Sequence, residues 1–240
     1  MQDRTDISRL NSRWLALAEV TVFVVIALVS RRVLDPFIWK FAGPISLVGT
    51  LILLTVYMRF RGLKWSQMGL RKLPGLRSKL LLIPQMLLVF VLFASAVALI
   101  TIGGPAVGLE FLGERPAGAD DRWGAIEGNL PLYLIWVGIV WVSAAFGEEM
   151  FFRGFLITRL KVGFAEIPFA TVLAVFLPAL IFGYGHMYYQ GLRGLVMTGV
   201  IALIFGSLFL AFRRNLWPII LFHGIFDTLV MTAIYLNWDA

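Results

Sequence analysis

The chain has 240 residues, of which 60% are hydrophobic, 14% aromatic and only 15% charged, with a mean hydropathy of +0.86. Soluble domains carry about 25% charged residues, so the composition excludes a soluble fold and leaves an integral membrane protein of one domain, residues 1–240, with no room for a separate soluble unit. There is no cysteine, which excludes disulfides, thiolate metal ligands and a cysteine nucleophile, and the formal charge of +7 needs a membrane explanation or a nucleic-acid one.

Apolar segments fall at about 14–30, 42–58, 80–102, 132–148, 167–185, 194–212 and 216–237. In lipid every backbone group needs a partner within its own segment, so these are helices, and the fold expected is an all-α polytopic bundle of seven to eight spans. The first is too long for a signal peptide's apolar core and is followed by Arg31 and Arg32 rather than a cleavage pattern, so it is read as a retained span or anchor. Residues 59–79 hold Arg59, Arg61, Lys64, Arg71, Lys72, Arg77 and Lys79 and no acid, between two apolar segments. Such a loop rests on anionic headgroups at the cytoplasmic face, which makes membrane lipids the partner and argues against nucleic acid. Arg159, Lys161, Arg213 and Arg214 fit the same side; Arg31, Arg32 and Lys40 do not. The connection 103–131 is acidic, with Glu110, Glu114, Asp120, Asp121 and Glu127, and carries no recognisable chemistry. The expected location is the inner (plasma) membrane, crossed several times.

Glu148 and Glu149 close the fourth segment. An ionisable group at membrane depth costs about 2.5 kcal/mol or more, so adjacent carboxylates imply partners and chemistry. On a continuing helix Glu149 and Arg153 share a face at i, i+4, which pairs them and leaves Glu148 facing a cavity. The alternative is a solvated helix end. Phe182-Gly183-Tyr184-Gly185-His186 ends the next segment; a lone membrane histidine is more often a packing residue, and tilt, a kink at Pro178 or unwinding at Gly183 and Gly185 would bring His186 level with Glu148. His223 and Asp227 share a face of the last segment, so the carboxylate can orient the imidazole. Polar groups in lipid find one another, and these six converge on one cavity if the helices pack together.

A carboxylate with an imidazole can deprotonate water, and a second imidazole can stabilise the oxyanion formed on an amide carbonyl. The same donors, Glu148, His186, His223 and Asp227, can instead hold a divalent metal such as Zn²⁺, although no His-Glu-x-x-His motif is present. A proton-coupled transporter and a non-catalytic immunity or scaffold protein are the competing functional classes.

Glu148-Glu149-x-x-x-Arg153, Phe182-x-x-x-His186 and His223-x-x-x-Asp227, in that order, resemble the membrane endopeptidases that include the type II CAAX prenyl proteases and the abortive-infection (CPBP) proteins. Met68-Gly69-Leu70-Arg71 resembles a stretch often found before that family's core, and the resemblance covers residues 130–237. It implies an intramembrane protease acting on a peptide or protein substrate near the cytoplasmic face. Glu148 would activate water with His186 as its partner, Glu149 and Arg153 would support the site, and His223 with Asp227 would stabilise the oxyanion. Family members are described as metalloproteases and as metal-independent glutamate proteases, so a metal stays open. One departure stands out: Asp227 occupies a position that is often Asn, and a carboxylate donates only when protonated.

Overall fold

A computed structural model describes residues 12–238 and contains helices and no strand among them. Five helices are long and apolar enough to cross a membrane: α1 (Arg13–Phe60), α2 (Gly75–Ala106), α4 (Leu130–Gly163), α5 (Ala170–Ala211) and α6 (Trp217–Tyr235). The short α3 (Ala117–Trp123) lies in the acidic connection.

Seven to eight spans were expected from the apolar segments, and five continuous helices are observed because two of them run through what reads as a loop. α1 has 48 residues, about 72 Å if straight, more than twice a hydrocarbon layer of about 30 Å. It breaks at Ile38 (φ −144°, ψ 43°), just after Pro36, whose ring clashes with the preceding turn. The two arms fold back on each other: the Tyr57 hydroxyl donates to Glu19 Oε1 at 2.7 Å, and the Phe23 and Tyr57 rings lie 5.4 Å apart. α5 breaks at Gly191, whose φ of 60° and ψ of −155° suit glycine alone. Its arms, 170–190 and 192–211, pack tightly around Gly183, where a Cβ would sit 2.5 Å from the Leu195 carbonyl oxygen.

The helices thus form a bundle with two distinct ends. One gathers the start of α1, the basic residues 59–79, the end of α4 and the α5–α6 turn. There Leu216 N donates to Gly69 O at 3.1 Å and Trp217 Nε1 to Arg71 O at 2.7 Å, so the Met68–Arg71 stretch seats the start of α6. The other end holds the α1 bend, residues 107–129, the α5 reversal and the end of α6, tied by Gly128 N to Tyr235 O at 3.0 Å. α4 runs between them and packs on α1, α5 and α6. It starts at the Asn129 cap, whose side chain accepts from Leu132 N, followed by Pro131 in the first turn.

The polarity is inside out relative to a soluble protein. Glu149 and Arg153 are 0% and 2% exposed while Phe37, Leu99 and Val172 stand on the surface. Apolar faces directed outward and charges buried inward are what a lipid solvent selects, and the chain is an integral membrane protein.

Candidate active site

From Val140 to Ile157, α4 is wound as a π-helix, with bonds from i to i+5. This winding is rare beyond a single turn and collects at functional sites. It widens the spiral, so residues five apart share a face. Ser143, Glu148 and Arg153 all line one cavity of about 930 Å³ bounded by α1, α2, α4, α5 and α6. A reading at 3.6 residues per turn puts Arg153 with Glu149 alone; in the π-helix Arg153 serves both the pair and the cavity.

Glu149 is fully buried and occupied. Its Oε1 accepts from Arg153 Nη1 at 3.1 Å and faces His223 Nδ1 at 2.9 Å. His223 Nε2 lies 3.4 Å from Asp227 Oδ2, too long for a strong hydrogen bond. The tight orienting partner of His223 is therefore Glu149, on another helix, rather than Asp227 one turn away. The Arg153 guanidinium is also stacked between Phe182 and Phe205, 4.8 and 5.3 Å from the ring centres.

Glu148 and His186 line the same cavity, and among the described residues no hydrogen bond joins them. His186 Nδ1 lies 2.8 Å from the Phe182 carbonyl oxygen. A carbonyl only accepts, so Nδ1 carries the hydrogen, and in the neutral ring the lone pair is then on Nε2. Of the expected tilt, kink at Pro178 or unwinding at Gly183 and Gly185, the unwinding does not occur: α5 keeps helical backbone angles through all three residues and breaks at Gly191. Residues 164–169 lie outside the helices, so the connection shortens both arms: His186 is 16 residues into α5 and Glu148 is 15 residues back from the end of α4.

The proposed metal ligands do not assemble as a metal site. Both nitrogens of His223 face carboxylates, and among the described residues no three His, Asp or Glu side chains are grouped to hold an ion.

Two residues of the site escape a reading of the sequence. Arg122, on α3, is 7% exposed and lines the cavity amid Trp123, Trp136, Tyr188 and Tyr189. Burial lowers the pKa of its guanidinium, assisted by Arg31 and opposed by Tyr189, Glu148 and Asp35. Arg31 lines the same end, its Nη1 donating to Gly185 O at 2.7 Å and its guanidinium 3.6 Å over the Tyr188 ring. Neither has a periodicity or motif to mark it; the acidic surroundings of Arg122 point to plain solvation. The cavity reaches Arg31, Arg122, Gln190 and Trp238, which belong to the end opposite the basic loops.

Residues 130–229 match the family described as type II CAAX prenyl endopeptidase Rce1-like. All six of the residues singled out in the sequence lie within that stretch, while Arg31 and Arg122 lie outside it. No curated protein and no solved structure gives a significant match to the chain.

Proposed function

With residues 130–229 assigned to the Rce1-like family of type II CAAX prenyl endopeptidases, a family of membrane proteases, we propose that this chain is an intramembrane endopeptidase that works through Glu148 without a metal. The observation that carries the reading is the contrast between neighbours: Glu149 is held by Arg153 and His223, whereas Glu148 faces the cavity and has no hydrogen-bond partner among the described residues. A carboxylate without a hydrogen-bond partner at the wall of a large cavity is the group able to take a proton from water.

In the proposed reaction, water bound between Glu148 and the Nε2 lone pair of His186 gives a proton to Glu148 as its oxygen attacks the scissile carbonyl carbon. The negative charge that develops on the carbonyl oxygen is met by His223, whose Nδ1–H is directed at Glu149 and whose Nε2–H is only loosely engaged by Asp227. Collapse of the tetrahedral species breaks the C–N bond, and Glu148 returns the proton to the leaving amine. Arg153 offsets the Glu149 charge, so two adjacent glutamates do not share one uncompensated site. In this reading Glu149 orients the ring, while Asp227 faces Nε2 only as a loose acceptor and need not donate, which accommodates the departure from Asn.

We take the breaks at Ile38 and Gly191 as turns between spans, which makes seven crossings, and the basic end as cytoplasmic, in the inner (plasma) membrane. The substrate is a peptide or protein reaching the cavity laterally or from the opposite face. The decisive experiment compares Glu148→Gln with the native chain in lipid nanodiscs, with and without chelator. Cleavage lost in the variant and indifferent to chelator is the expected result. Native turnover in Glu148→Gln overturns the role of Glu148, and turnover abolished by chelator overturns the metal-free mechanism.

A further inference from the structure

Arg122 is a buried cation without an adequate counter-charge. It is 93% removed from solvent, its Nε and Nη1 make no hydrogen bond, and no ion pair within 4 Å reaches it among the described residues. Asp35 is the one acid near this end that acts on both Arg31 and Arg122, and it pairs closely with neither. Holding a charged donor buried and unpaired is unfavourable, so the site calls for an anion. The rings of Tyr189 and Trp136, with centres 4.8 and 5.5 Å from Cζ, engage the guanidinium through their π clouds. Hydrogen bonding lies in the guanidinium plane and is not satisfied by this stacking. Tyr189 in turn lies 6.0 Å from the His186 ring, so Arg122 stands one ring beyond the reacting centre in the same cavity.

We propose that Arg122 recognises a carboxylate of the substrate, the planar anion that a guanidinium grips with two parallel hydrogen bonds. The proposal rests on the endopeptidase reading and adds a specificity: peptides carrying a carboxylate on the α3 side of the scissile bond are preferred. Arg31 raises the positive potential there while its own guanidinium stays committed to Gly185 and Tyr188. A peptide supplies this anion either from its terminus or from an Asp or Glu side chain.

The test uses the full chain in nanodiscs and a pool of synthetic decapeptides in three forms: unmodified, amidated at the carboxyl terminus, and with every Asp and Glu replaced by Asn and Gln. Cleavage is read by mass spectrometry, and binding of the same pools is read in the Glu148→Gln background. The unmodified pool should be favoured over one of the other two by about ten-fold or more in kcat/KM, and which of the two loses identifies the source of the anion. Arg122→Gln should erase that preference mainly through KM, leaving cleavage of the neutral pool within about two-fold, and Arg122→Lys should retain part of it. Equal treatment of all pools by the native chain, or a preference that survives Arg122→Gln, overturns the proposal. If Arg122→Gln does not fold, the native pool comparison and Arg122→Lys decide. Absent cleavage with binding that still depends on Arg122 removes the hydrolytic reading and leaves the anion site standing. Absence of both removes the anion site.

Discussion

Buried charge occurs at both ends of this bundle, and the two clusters are built differently. At the basic end Glu19 is 3% exposed and accepts from Arg159 Nε at 2.6 Å and from Tyr57 at 2.7 Å, with Arg61 Nε at 3.5 Å. Both arginines there have an acid within ion-pairing distance, and the group lies outside the large cavity. At the other end Arg122 has rings around it and no acid within ion-pairing distance, while Glu148 has a hollow in front of it. A closed network of charges fastens helices to one another; an open one is fitted to something that arrives. Burial alone does not separate the two, because all of these side chains are withdrawn from water. Completeness of pairing does.

The strongest way to break the comparison is at the open cluster. Glu148→Gln is expected to reduce peptide hydrolysis by about 10²–10⁴-fold, the usual worth of a positioned base, with the unfolding midpoint unchanged. A variant that loses its fold together with its activity would show Glu148 to be part of the fastening. The mirror experiment is Glu19→Gln, which leaves Arg159 buried beside a neutral partner. Thermal or denaturant unfolding in mild detergent should register a loss of about 3–5 kcal/mol, while turnover per folded molecule stays at the native level. A fall in turnover without a stability loss would place Glu19 with the reactive groups. Glu149→Gln tests the boundary, since Glu149 is matched yet touches His223. It should lower both stability and rate, and the rate loss should remain after correction for the folded fraction.

Smaller effects sharpen the frame that holds the clusters apart. Gly183→Val forces the arms of α5 apart where a Cβ meets the Leu195 carbonyl, and a cost of about 1–3 kcal/mol is expected from unfolding curves. The last prediction changes no energy. Because the native chain has no cysteine, single substitutions Lys72→Cys and Asp121→Cys can be labelled cleanly with an impermeant maleimide. The first should react only from the cytoplasm and the second only from the other side; labelling of both from one side would reject the proposed orientation.

Much of this was legible beforehand, for identifiable reasons. Glu148, Glu149, Arg153, His186, His223 and Asp227 stand out because lipid makes each ionisable residue expensive, so each needs a partner or a task. The Glu149–Arg153 pair follows from their spacing. What escaped detection depends on winding and on long-range packing. The π register of α4, which turns Ser143, Glu148 and Arg153 to one side, leaves no mark in a pattern of apolar residues. Ile38 and Gly191 break helices inside the stretches between apolar runs, so the number of continuous elements was overcounted although the runs themselves were located. His223 pairs across helices with Glu149, a choice that spacing along α6 cannot reveal in preference to Asp227. Arg122 sits among acids in sequence and among aromatic rings in space.

Arg31 comes from the bend of α1 and Arg122 from α3, both upstream of residues 130–229, the stretch that matches the protease family. The molecule is therefore divided like a tool with a fixed blade and an exchangeable jaw. On the proposed reading the C-terminal half holds the hydrolytic geometry, and the N-terminal half sets which polypeptides are admitted. Proteins sharing the blade are expected to differ in diet according to what their upstream segments place at the mouth.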